Sequence, residues 1–348
     1  MADMGELAKT LDASDMLGHL RNFPRDLALA WDRAASWDLS RFEGKQYSGV
    51  ICLGMGGSAS AGDFLASLSE LQGCLPFISH RGYDLPAWAS EKWLVLATSY
   101  SGNTEETLDA LDAAIEIGCD VIGLSSGGSL QVRLEATGNT WIGLPGGQPP
   151  RSAFGHIFGT QVALSWRLGI MSPPENRGAL LERIQDAVEA CDFTVEDEEG
   201  DVISEISNSI MHKQLSVLAT QSLSPTAYRA ACQFNENSGI FARPHIIPEM
   251  NHNEIVAWGE SDNIGNQALI VFSWDGAHER NEMRLDWFLE HIEIKPTWGI
   301  MCEGESHLEA LLYAVVFMDW LSCAVALLRG KDPTSIGPII GLKDYLSQ

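Results

Sequence analysis

The sequence predicts an α/β protein of two domains, residues 1–172 and 173–348, each a parallel sheet flanked by helices. Three observations carry this. Short apolar runs with the length of strands buried on both faces alternate with helical patterns, as a parallel sheet requires. The pattern is broken by the acidic run at 196–201, the best candidate for a linker or exposed turn, and then starts again. Neither half shows low complexity, and the 348 residues are enough for two cores.

In the first half, strands are predicted at 50–53, 76–79, 93–97, 120–124 and 140–143, with helices at 61–71, 105–117 and 152–168. In the second half, strands are predicted at 215–219, 246–248, 268–273 and 297–300. An apolar helix is predicted over 227–234, a long one over 307–328 and a terminal one over 339–346.

Composition narrows the function. A net charge of −25 argues against a nucleic-acid partner, which needs a basic footprint, and it repels small anions at long range. Any anion site must therefore be built from local donors. With charged residues at 20% of the chain, the acidity itself says little about substrate. A basic segment followed by an apolar stretch is missing from the first residues, and no uninterrupted run suits a bilayer span, so the expectation is a cytoplasmic protein with no membrane partner. Seven scattered cysteines form no CxxC pair, and Cys52, Cys119 and Cys323 sit inside apolar runs, as buried thiols do in a reducing compartment.

Two turns stand out in the first half. Thr98-Ser99-Tyr100-Ser101-Gly102-Asn103-Thr104-Glu105-Glu106-Thr107 places small hydroxyl residues and a glycine where an apolar strand becomes a helix. The N–H groups of a first helical turn, the helix dipole and neutral hydroxyl donors together make an anion socket, with Asn103 or Thr104 as the cap. The second turn, Gly54-Met55-Gly56-Gly57-Ser58-Ala59-Ser60, joins the first strand to its helix. Gly54, Gly56 and Ala59 have the spacing of a dinucleotide fingerprint. The next strand ends Ile78-Ser79-His80-Arg81 without the ribose-binding acid, and Asp84 lies beyond it, which weighs against a dinucleotide. Glycines serving only a tight turn remain the plain alternative. Two adjacent parallel strands ending in such loops would converge at the carboxyl edge of the sheet, where open α/β sheets bind ligands.

These two turns resemble the sugar isomerase (SIS) domain family, whose serine-rich loop holds the phosphate of a phosphosugar. The resemblance narrows with the order of further segments: residues 16–17 through 23–24, GMGGSAS at 54–60, SYSGNTEET at 99–107, PPRSAFGH at 149–156, NENS at 235–238, PEMNHNEI at 248–255 and DPTSIGPIIGLK at 332–343. Together they are similar to the bifunctional phosphoglucose/phosphomannose isomerases. That resemblance implies two SIS domains with flavodoxin-like sheets. It implies a cofactor-independent isomerase, needing no metal, that moves a proton between C1 and C2 of a hexose 6-phosphate through an enediolate. Such chemistry needs a carboxylate base, a cation and an acid/base imidazole.

By resemblance, Glu236 is the proton-transfer base, His252 opens the sugar ring, Arg151 stabilises the enediolate and Lys343 sits near the ring oxygen. Gly56, Gly57, Ser58, Ser99, Ser101 and Thr104 are the phosphate-binding set. His252 is expected to reach the site of a partner subunit, implying a homodimer. From the residues alone, Glu236 also reads as a solvated helix-end glutamate, Arg151 as a surface arginine, and Glu254 as either an orienter of His252 or a helix cap. No second histidine or cysteine lies at ligand spacing from His252, which makes a metal reading poor. The chain departs from the family pattern in two places. Gly239 stands where a lysine is usual, and Arg229-Ala230-Ala231-Cys232-Gln233 replaces a more basic stretch. A phosphosugar sensor without catalysis, or an isomerase of a related sugar phosphate, are the competing functions.

Overall fold

A computed structural model describes residues 3–73, 75–195, 202–262 and 264–346; the acidic run at 196–201 lies outside them. The chain divides into two compact units. One is Asn22–Leu181; the other joins the chain up to Arg21 to the chain from Glu182 onward. The division therefore falls inside the helix Arg177–Cys191, and the N-terminal helices Met4–Leu11 and Met16–Arg21 group with the second half rather than with the first as a cut at 172 has it.

In the unit Asn22–Leu181, β1 (Gly49–Leu53), β2 (Phe77–His80), β3 (Trp93–Thr98), β4 (Asp120–Ser125) and β5 (Thr140–Gly143) form a parallel sheet ordered β2-β1-β3-β4-β5. This is the flavodoxin-like order, in which the connections reverse direction between β1 and β3. Ile51, Leu53, Val95, Ala97 and Val121 face the helices Glu105–Ile117 and Gly128–Ala136 through Leu108, Leu111, Leu130 and Leu134. On the opposite face, Gly62 of the helix Gly56–Gln72 comes so close to Cys52 that an added Cβ would lie 2.7 Å from the cysteine Cβ. The same face carries an aromatic cluster in which Phe64 meets Phe154 and Phe158 edge-on at 5.1 and 5.7 Å. Burial on both faces explains the continuous apolar strands.

The other unit holds β6 (Gln214–Thr220), β7 (Ala242–Ile247), β8 (Gln267–Ser273) and β9 (Thr297–Met301), parallel and ordered β7-β6-β8-β9. Leu218, Ile247, Leu269 and Val271 pack with Trp258, Leu285 and Phe288 of the helices Glu254–Glu260 and Glu279–His291. The helix His307–Leu328 is long and apolar enough to cross a membrane, yet nearly all of it is buried within this unit. It packs against Val202–Ile210, Ser224–Gln233 and the N-terminal helices. The six cysteines among the described residues form no disulfide, and Cys52, Cys119 and Cys323 are buried as expected.

The sequence misplaces β7, which begins at Ala242, ahead of the predicted 246–248. Arg243, Pro244 and His245 disguise it. They are tolerated because β7 is an edge strand, where a proline costs no ladder bond on its open side.

His307 begins the long helix and is buried, stacked on Trp274 at 5.0 Å, with Nε2 donating to the Ser222 carbonyl at 2.8 Å. Burial holds its pKa below the ordinary 6.5, against a smaller opposing effect of the Ser222 bond. Between that depressed value and pH 6.5 the unfolded chain then binds a proton that the folded chain does not. Stability is full above pH 6.5 and falls as pH drops through the depressed folded pKa. The thermal midpoint is expected to fall between pH 7 and pH 5, and His307→Gln to flatten the fall. An unchanged slope in the variant refutes this.

Candidate active site

The two glycine- and serine-rich turns follow β1 and β3, which are neighbours in the sheet. Their helices start without side-chain caps. Met55 precedes Gly56–Gln72 and has no capping group, while the Thr104 hydroxyl lies 2.9 Å from Ser99 Oγ instead of capping Glu105–Ile117. Ser99 Oγ also accepts from the Thr104 N–H at 3.3 Å, which closes the loop on itself. Ser101 Oγ accepts from the Asn103 N–H at 3.3 Å, and Asn103 Oδ1 accepts from the Ser129 N–H at 3.0 Å. The loop is thereby pinned from the start of the helix Gly128–Ala136 as well. Gly102 is obligatory here. Its φ is +73°, and an added Cβ would lie 1.8 Å from the Gly127 carbonyl oxygen.

The turns are joined to each other. Buried Ser58 accepts from the Tyr100 N–H at 3.3 Å, so one of the predicted phosphate ligands has a structural duty as well. Gly57 lies against Pro150 and Arg151, where an added Cβ would be 3.3 Å from the Arg151 Cα. Arg151 is only 4% exposed, which removes its reading as a surface arginine. Gly56, Gly57, Ser58, Ser99, Ser101, Thr104 and Arg151 thus all belong to the unit Asn22–Leu181. Glu105 and Glu106 occupy the first turn after the loop, so an anion here depends on N–H groups and hydroxyls rather than on net charge.

The segment after Arg151 is fixed by a buried pair. His156 Nε2 lies 3.2 Å from Asp26 Oδ1, and Gln148 Nε2 donates to Asp26 Oδ2 at 3.1 Å. Burial depresses the His156 pKa and outweighs the raising effect of Asp26.

Glu236, His252 and Lys343 belong to the other unit. The helix Ser224–Gln233 widens into a π-helical turn, Phe234–Ser238, with Glu236 at its centre. Such turns are rare and cluster at functional sites. Glu236 is half-buried, whereas its neighbours Asn237 and Ser238 are buried and bonded. Asn237 Nδ2 donates to Ser322 Oγ at 2.9 Å, and Ser238 Oγ donates to the Phe234 carbonyl at 2.6 Å. Beneath the turn, Arg229 pairs with Asp319 at 2.7 Å and Gln233 Nε2 donates to the same carboxylate at 2.7 Å. A rigid polar floor holds the glutamate.

His252 ends the 3-10 turn Glu249–His252 and is exposed. Asn253 caps the helix Glu254–Glu260 and donates to Glu249 Oε1 at 2.8 Å, so it does not serve the imidazole. Glu254 does not serve it either, being paired with His245 Nδ1, whose Nε2 lies 3.2 Å from Ser216 Oγ. Lys343 lies in the last turn of the helix Gly337–Leu346, where Ile340, Leu342, Tyr345 and Leu346 are more than half exposed. At Gly239, where the resemblance leads one to expect a lysine, φ is +64° and the Lys331 ammonium lies 3.2 Å from where a Cβ would be.

Sequence reading missed the Arg229–Asp319 pair and Lys331. A signal for the pair was present. Asp319 interrupts the apolar run Val315-Val316-Phe317-Met318, and a charge in such a run requires a buried partner.

Comparison with known proteins agrees with this architecture. The profile of the bacterial phospho-glucose isomerase C-terminal SIS domain matches residues 201–346. A bifunctional phosphoglucose/phosphomannose isomerase of Aquifex aeolicus is 31% identical over 87% of this chain and 91% of its own. One of Caldicellulosiruptor bescii is 29% identical over 96% and 99%. Among solved structures, tagatose-6-phosphate ketose/aldose isomerase of Escherichia coli superimposes with a TM-score of 0.71 at 16% identity, over 92% of this chain and 94% of that one.

Proposed function

The chain belongs to the bifunctional phosphoglucose/phosphomannose isomerase family, and from that premise we propose that it interconverts glucose 6-phosphate and mannose 6-phosphate with fructose 6-phosphate. The observation that carries this reading is the Glu236 turn. A single half-exposed carboxylate stands on a π-helical turn whose flanking amide and hydroxyl are buried and bonded.

In this mechanism the uncapped helix starts with Gly56, Gly57, Ser58, Ser99, Ser101 and Thr104 hold the substrate phosphate. Glu236 moves the proton between C1 and C2, and Arg151 offsets the enediolate charge. Lys343 contacts the ring oxygen and hydroxyls of the sugar. His252, supplied by the second subunit of a homodimer, transfers the ring-oxygen proton during opening. Its exposure suits that role, and the uncovered apolar residues of Gly337–Leu346 support association of two chains. Handling both epimers requires rotation about the C2–C3 bond of the open chain, so that one base serves either face of the enediolate. The same reading keeps the expectation of a cytoplasmic enzyme that uses neither cofactor nor metal.

The test is a coupled assay with each hexose phosphate as sole substrate. Fructose 6-phosphate should form from both aldoses, and the reverse reaction should yield both. Absence of turnover on all three overturns the reading.

A further inference from the structure

We infer that Lys331 is a positioning residue for Glu236, a role that rests on the isomerase reading above. The long helix His307–Leu328 ends in a turn whose own geometry is fixed. Gly330 has φ +69° and donates its N–H to the Leu327 carbonyl at 2.9 Å, while the Lys331 N–H donates to the Ala326 carbonyl at 2.9 Å. Just beyond, Asp332 Oδ1 accepts from both the N–H and the hydroxyl of Thr334 at 2.8 and 2.6 Å. The backbone that carries Lys331 is therefore anchored on both sides.

From this turn two cations reach the π-helical turn. Arg329 Nε donates to the Ser238 carbonyl at 3.0 Å, and Lys331 Nζ donates to the Glu236 carbonyl at 3.3 Å. Carbonyls at the end of a helix lack intrahelical donors, and cations there are favoured by the helix dipole. At this turn the Phe234 carbonyl already takes Ser238 Oγ and the N–H groups of Gly239 and Ile240. The two cations satisfy the later carbonyls. Gly239 leaves the space for it, since an added side chain there would start 3.2 Å from the ammonium.

The consequence is specific to Glu236. Its carbonyl and its carboxylate share one Cα, so a bond that fixes the peptide plane fixes the direction from which the side chain departs. Proton transfer is sensitive to placement, and an error of 1 Å in a reacting group costs about 10²-fold in rate. The bond of Lys331 is to the backbone oxygen of Glu236, and its part is to hold the base in register.

The experiment compares wild type, Lys331→Met and Lys331→Arg, each also in a Glu236→Gln background, by steady-state kinetics on fructose 6-phosphate and by thermal unfolding. Lys331→Met should lower kcat about tenfold with KM within about threefold and an unchanged thermal midpoint, and Lys331→Arg should restore most of the rate. In the Glu236→Gln background the methionine should cause no further loss, because the base it positions is gone. A kcat within twofold of wild type overturns the inference, as does an equal loss in both backgrounds, or a loss that follows a lowered midpoint and is not rescued by arginine. Active wild type with unaffected Lys331→Met removes this inference alone; inactive wild type removes the isomerase reading with it.

Discussion

Replacement of Glu236 by glutamine is expected to lower kcat on all three hexose phosphates by roughly 10²–10⁴-fold, the range for loss of a positioned general base, with KM little changed. The structure makes this a clean substitution. The π-helical turn is held by Asn237, Ser238 and the Phe234 carbonyl, and glutamine keeps the shape of glutamate while removing its basicity. Ligand binding should therefore persist. Protection of the variant against thermal unfolding by fructose 6-phosphate, equal to that of wild type, checks the binding half. A variant retaining more than a tenth of the wild-type kcat would show that another group abstracts the proton. A protein that binds the sugar phosphates with no rate to lose would instead be a sensor.

Removal of Asp319 by alanine should be the most damaging change to stability, about 3–5 kcal/mol, because it strips the counter-charge from an arginine that is 2% exposed. Against a typical total of about 5–15 kcal/mol this is severe. The carboxylate also accepts from Gln233, so the variant loosens the end of the helix that leads into the Glu236 turn. The urea midpoint of unfolding measures the loss. Replacing both partners together, Arg229→Met with Asp319→Leu, should cost far less, since no bare charge is then left inside. A loss below about 1 kcal/mol for Asp319→Ala refutes the account.

Both sheets were largely legible in the chain because strands buried on two faces must be continuously apolar, and runs such as Val50 to Leu53 and Ala268 to Phe272 are. The serine-rich loop after β3 was legible for a related reason. Its donors are local, and Ser99, Ser101, Asn103 and Thr104 bond to one another within the loop. Much less of the surroundings of Glu236 could be read. Glu236 itself was singled out by its motif, but what holds its turn lies far along the chain: Asp319, Ser322 and Lys331 meet Arg229, Asn237 and Glu236 only after folding. No periodicity encodes contacts of that separation. The helix Gly56–Gln72 was also drawn too short, because Gly56 and Gly57 have poor helix propensity and start the helix only where the turn beside Arg151 requires them.

The discontinuity of the unit that holds Glu236 bears on how the polypeptide is made. Met16, Leu17 and Leu20 are buried in a unit whose long helix His307–Leu328 packs against their own helix, and Arg21 is bonded to Asp192 and Thr194. A ribosome delivers this leading segment long before the surface that covers it. The intervening unit Asn22–Leu181 is contiguous and can close its sheet while synthesis continues, whereas the leading segment waits, apolar side uncovered, until the last long helix emerges. The unit that holds Glu236 is thus the last to assemble, and a nascent chain released early carries the finished serine-rich loops without it.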